Sequence, residues 1–158
     1  MRSIIIGKGG RLGKVILETL QSRGDEIVDD CANYLIFAHR YRGPEDMEAE
    51  MKANCLDVVR RIERANFVHG DRAIVVVSSI GATEDAPMSL SYAMSKAALN
   101  RAVKFLKGSA RINSVSPAGF TGSGATVTKQ QVADVIAFLC SPQASGINGE
   151  NIIVRGQV

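Results

Sequence analysis

The chain has 158 residues, 46% hydrophobic and 22% charged, enough apolar material for one globular domain spanning 1–158. Lysine and arginine number 19 against 16 acidic residues, a formal net charge of +3 without a long run of either sign, so neither a nucleic-acid nor an acidic-membrane partner is expected. No apolar stretch reaches the about 18 residues of a membrane span, and the run at the start is too short for a signal peptide. Cys31, Cys55 and Cys140 are odd in number and scattered, which suits a reduced, cytoplasmic chain. His39 and His69 match no zinc spacing with them, and no metal is expected.

The first predicted element is a strand over 3–6, joined to a helix over 11–21 through Gly7, Gly9, Gly10 and Gly13. Leu12, Val15, Ile16, Thr19 and Leu20 share one face of that helix. Glycines at such a joint let backbone amides and a helix N-terminus approach a pyrophosphate. The spacing fits G-x-x-G-x-x-G through Gly7, Gly10 and Gly13 rather than G-x-G-x-x-G, whose last position falls on Leu12. Gly7, Lys8, Gly10, Arg11, Leu12 and Gly13 are the candidate phosphate site; the other reading is a tight turn with basic residues in solvent.

An acidic residue about 20 positions on would take the ribose hydroxyls, and Asp25, Asp29 and Asp30 are candidates. A parallel crossover normally needs a dozen or more residues, yet only a few separate Val28 from Tyr34. Either 26–28 is no full strand, or it is an edge remnant whose chain turns back abruptly. Lys8 and Arg11 could instead receive a 2′-phosphate, which tilts the expected cofactor toward NADP, with NAD possible.

Further strands are predicted over 34–38, 73–77, 112–115 and 152–154, and further helices over 45–66 and 129–140, the latter closed by Pro142. Strands apolar at consecutive positions suit a parallel sheet covered on both faces, a doubly wound α/β fold. The 73–77 strand ends in Ser78 and Ser79, where α/β sheets place ligands. In SYAMSKAALN, Tyr92 and Lys96 stand at i and i+4 on one helix face. A tyrosine near 10 needs about 3–4 kcal/mol to serve as acid and base near neutrality, and one cation at about 4 Å contributes on the order of 4 kcal/mol at an effective dielectric of about 20. Each feature alone has a bland reading, an amphipathic helix pair or a strand-end serine.

Together the glycine turn, VVVSSIGA, YAMSK, RINSVSPAGF and VADVIAFLCSPQASGINGENIIVRG resemble the short-chain dehydrogenase/reductase family. The resemblance implies a Rossmann-like parallel sheet of about five to six strands, truncated where the second and third strands belong. It implies an oxidoreductase moving hydride between NAD(P) and a small carbonyl or alcohol. Tyr92 would be the acid/base, Ser79 would orient the carbonyl, and Lys96 would lower the tyrosine's pKa and hold the nicotinamide ribose. Asn54 would anchor a water relay, Ala38 and His39 would edge the cofactor, and Pro117 and Gly119 would border the nicotinamide. FAHRY replaces the usual Asn-Asn-Ala-Gly, so His39 and Arg40 either contact phosphate or adenine or fill space left by the deletion. The stretch SPAGFTGSGATVTK retains almost none of the substrate-covering loop. The helices around 45–66 and 89–107 carry surplus apolar residues, so a homodimer or homotetramer is expected. A catalytically idle nucleotide sensor or a scaffold is the alternative.

Overall fold

Six parallel strands in the order β2-β1-β3-β4-β5-β6 form the frame of this computed structural model, which describes residues 1–106, 108, 110–120 and 127–156. They are β1 (Arg2–Ile6), β2 (Glu26–Ile27), β3 (Tyr34–Phe37), β4 (Ala73–Val77), β5 (Arg111–Pro117) and β6 (Asn151–Val154). Between them lie α1 (Arg11–Ser22), α2 (Met47–Met51), α3 (Asp57–Glu63), α4 (Leu90–Phe105) and α5 (Lys129–Leu139).

Alternate side chains of the strands enter different layers. Ile5, Ile36 and Val75 pack with Ile16 and Leu20 of α1 and Val132 and Ile136 of α5. Leu35, Phe37, Ile74 and Val76 pack with Val58 and Ile62 of α3 and Leu99 and Val103 of α4. Both faces of the sheet are covered, which is why its strands read as unbroken apolar runs. After β1 the chain covers one face and after β3 the other, so the β1–β3 gap is a topological switch point, where such folds bind ligands.

The doubly wound expectation holds, and the ambiguity after the first helix resolves as an edge remnant. Arg2 and Ser3 of β1 pair with Glu26 and Ile27 of β2. The chain then returns through residues 28–33 to pair Tyr34 with Ser3 on the other side of β1. That return contains Cys31 at φ 51°, a left-handed conformation outside glycine.

Two boundaries differ from expectation. The helix predicted over 45–66 is divided by a π-helical turn, Lys52–Leu56, because apolar spacing does not reveal where hydrogen bonds slip to i→i+5. β5 runs beyond 115 to Pro117 with buried Asn113, Ser114 and Ser116. These polar side chains are satisfied: Asn113 Nδ2 donates to the Ile147 carbonyl at 2.9 Å, and both serine hydroxyls donate to Asn151 Oδ1.

Candidate active site

The glycine turn is shaped by contact distance. Gly7 has φ +93°, and a Cβ there would lie 2.9 Å from the Ala38 carbonyl carbon and the His39 nitrogen. A Cβ on Gly13 would lie 2.0 Å from the Gly7 carbonyl oxygen. Both glycines let α1 start tightly against the end of β1. Gly10 is the N-cap of α1 and offers no capping side chain, so the amides of Arg11, Leu12 and Gly13 keep the free donors of a helix start. Leu12 contributes only that amide, since its side chain packs on the core beside α5.

The charges around this turn are partly spent. Lys8 Nζ is 3.2 Å from Asp29 Oδ1, an exposed ion pair that a phosphate could displace at little cost. Arg11 has no ion pair among the described residues. Arg42, which sequence reasoning passed over, brings a guanidinium nitrogen within 3.7 Å of where a Gly10 side chain would begin.

On the other side of the sheet's carboxyl edge stand Ser79, Tyr92 and Lys96. Ser79 caps a short 3-10 turn, Ile80–Ala82, accepting from the Gly81 amide at 3.3 Å; its hydroxyl lies 3.9 Å from the Met88 thioether and is also a hydrogen-bond partner of the Tyr92 phenol. Ser78 is turned inward, its hydroxyl donating to the Lys96 carbonyl at 3.3 Å. Ser89 caps α4 and accepts from the Tyr92 amide at 3.3 Å, which starts the helix so that Tyr92 and Lys96 share a face. Lys96 Nζ is 5.8 Å from the Tyr92 ring centre and donates to the Val77 carbonyl at 2.9 Å. Lys96 is 2% exposed.

Asn54 sits in the π turn, 1% exposed. Its Oδ1 accepts from the Tyr41 amide at 2.7 Å and its Nδ2 donates to Ser95 Oγ at 3.0 Å. Its side chain therefore ties the loop after β3 to α4. His39 turns away from the glycine cradle: its Nε2 lies 3.2 Å from the Ala53 carbonyl, and only its backbone lines Gly7. Pro117 ends β5 and Gly119 follows it in the open. The stretch expected to retain almost none of a substrate-covering loop runs through 121–126, which lie outside the described residues.

Electrostatics separate the two partners of the helix pair. Burial pushes the Lys96 ammonium down from its ordinary 10.5 to about 8, assisted by Arg40, with Cys55 and Glu50 opposing. Burial pushes the Tyr92 phenol up, Arg40 and a hydrogen bond with Ser79 pull it down, and Glu50 pushes it up. In the free protein burial outweighs the downward pulls on the phenol, the first of which is Arg40. Burial also depresses the His39 imidazole. Arg40 and Glu50 were missed as neighbours of Tyr92 because both come from outside its helix. Glu50 alone carried a signal, a carboxylate on the buried face of α2 against α4, where its Oε1 accepts from the Ser91 hydroxyl at 3.3 Å and its Oε2 has no partner among the described residues.

No group of three or more His, Cys, Asp or Glu side chains fit to hold a metal occurs among the described residues, and no helix among them is long and apolar enough to cross a membrane. No protein-family profile and no curated protein matches the sequence. Solved structures do resemble the fold. An enoyl-[acyl-carrier-protein] reductase (NADH) from Aquifex aeolicus matches at TM-score 0.84 and 17% identity, covering 98% of this chain and 94% of that one. A short-chain dehydrogenase/reductase of the glucose/ribitol dehydrogenase type from Brucella melitensis matches at 0.81 and 21%, covering 97% and 94%. An angucycline C-6 ketoreductase with bound NADP matches at 0.83 and 19%, covering 96% and 93%. At these identities the likeness is one of architecture, and the chain has the short-chain dehydrogenase/reductase fold.

Proposed function

We propose that this chain is an NAD(P)-dependent oxidoreductase that interconverts a small carbonyl compound and its alcohol. The observation that carries the reading is convergence: Ser79, Tyr92 and Lys96 stand at the carboxyl edge of the same sheet as the tight glycine turn and the free amides at the start of α1. Gly7, Gly10 and Gly13, the free amides of α1, Arg11 and Arg42 would hold the phosphates. Ala38 and the His39 backbone would border the cofactor, as would Pro117 and Gly119, and Lys96 would reach the ribose. When bound, the nicotinamide supplies or accepts the hydride. Ser79 Oγ, beside the Tyr92 phenol, donates to the carbonyl oxygen and fixes its direction. Tyr92 delivers the proton to that oxygen in reduction and takes it back in oxidation.

Arg11 and Arg42, which make no ion pair among the described residues, favour NADP over NAD. We further propose one domain spanning 1–158 and self-association through α2, the π turn and α4, where Met47, Leu56, Leu90, Met94 and Phe105 are all more than two-fifths exposed. A nucleotide-binding protein without turnover is the second reading, favoured by a β2 of only two residues on the adenine side.

Calorimetric titration with NADPH and NADH tests the reading. NADPH is expected to bind with a Kd in the micromolar range, on the order of −8 kcal/mol, and more tightly than NADH. Absence of heat from both at about millimolar concentration contradicts it.

A further inference from the structure

Tyr92 lies between two cations that differ in kind. Lys96 is on its own helix, buried, and committed to the Val77 carbonyl at 2.9 Å. Arg40 comes from the loop after β3; it is exposed, its guanidinium carbon stands 5.9 Å from the Tyr92 ring centre, and it makes no ion pair among the described residues. Sequence offers no reason for Arg40 to face α4, but the anchoring of its neighbours does. On one side His39 is drawn inward to the Ala53 carbonyl. On the other the Tyr41 amide is held by Asn54 Oδ1. With both flanking residues fixed to the π turn, the side chain between them is displayed across the site toward Tyr92.

We propose that Arg40 is a positioning residue of this site, a second cation beside Lys96 that stabilises the Tyr92 phenolate. This rests on Tyr92 being the acid/base. A positive charge about 6 Å away at an effective dielectric of about 20 is strong enough to matter, and its exposure lets salt weaken it. The groups facing Tyr92 among the described residues are Arg40 from the loop, Glu50 from α2, Ser79 after β4 and Lys96 from α4; the two cations stand at nearly equal distances from the ring, 5.9 and 5.8 Å, and Arg40 is the first of the groups that pull the phenol down. The same charge discourages protonation of Lys96. The asparagine of the π turn thereby also positions the arginine.

The test reads the phenol directly, in the free protein. Tyrosinate absorbance is followed against pH in the wild type and in Y92F, and the difference is the Tyr92 curve. Tyr34 is pushed up by burial and by its bond to Asp71, and Tyr41 cancels in the subtraction. The same pair is measured in an R40Q background, in R40K and in K96M. The Tyr92 midpoint is expected to rise by about one pH unit in R40Q and to return most of the way in R40K, with K96M showing the separate contribution of the buried cation; high salt should shrink the R40Q effect. A midpoint that R40Q leaves in place, or a rise in R40Q that R40K does not reverse, overturns the assignment. Because no cofactor or turnover enters, the result stands apart from whether the chain is an oxidoreductase: loss of NADPH binding with the R40Q shift present sinks only the enzyme reading.

Discussion

Replacing Lys96 with methionine is expected to make the protein more stable at neutral pH, although it removes a residue assigned to the site. A buried ammonium brought from 10.5 to about 8 costs the fold roughly 3 kcal/mol wherever both the folded and unfolded chains carry the charge. Methionine has a similar unbranched stem and no charge to desolvate. The substitution leaves the Val77 carbonyl without its donor, a loss of about 1 kcal/mol, so the net gain at pH 7 is about 2 kcal/mol. The sign follows from proton counts. Between pH 8 and 10.5 the unfolded wild type holds a proton that the folded wild type has released, so wild-type stability rises across that window relative to the variant. Urea unfolding at about pH 7 and about pH 10 checks this: the advantage of Lys96→Met should be largest at the lower pH and reversed or absent at the higher. A variant less stable at neutral pH, or an advantage unchanged by pH, contradicts the assigned cost of burial. Functional sites commonly hold residues at a cost in stability, and Lys96 would be one.

Gly13→Ala should be among the most damaging single-methyl changes in this chain. The added carbon would sit 2.0 Å from the Gly7 carbonyl oxygen, 2.8 Å from the Gly7 carbonyl carbon and 2.9 Å from the Lys8 Cα. All three are backbone atoms, so no side chain can rotate away, and α1 must lift from the end of β1. Overpacking of this kind costs about 3 kcal/mol, or a fall in Tm of about 6–12 °C for a chain of this size, and dinucleotide affinity should fall with it. Gly9→Ala is the control. A Cβ there meets nothing within 4 Å, so its Tm should stay within about 2 °C of wild type. Equal effects from the two substitutions would show that the turn is loose rather than shaped.

The distinction between Gly9 and Gly13 was legible in the residues themselves, since the G-x-x-G-x-x-G spacing selects Gly7, Gly10 and Gly13 and passes over Gly9. The sheet was legible too, because strands buried on both faces leave unbroken apolar runs. So was the pairing of Tyr92 with Lys96, which needs only the helical repeat. The parts that escaped depend on contacts between distant segments. Arg40 reaches Tyr92 only because Asn54 and the Ala53 carbonyl hold its two neighbours, and that carbonyl faces His39 from a π turn that apolar periodicity cannot show. Pro117 lies in a strand whose polar residues look like a loop until Asn151 and Ile147 satisfy them. Leu12 sat at a phosphate-turn position by spacing, yet its side chain belongs to the core.

Turnover with the tyrosine present and absent bears on the proposed chemistry without intermediate steps. NADPH and NADH consumption should be followed with a panel of aldehydes and ketones for the wild type and for Tyr92→Phe, with cofactor affinity measured for both. Wild-type turnover is expected to fall about 10²–10⁴-fold in Tyr92→Phe, the usual contribution of a positioned proton donor, while cofactor affinity changes little. Turnover retained in Tyr92→Phe, or a bound cofactor that reduces no carbonyl in the panel, would contradict the assignment of Tyr92 as the acid/base of an oxidoreductase.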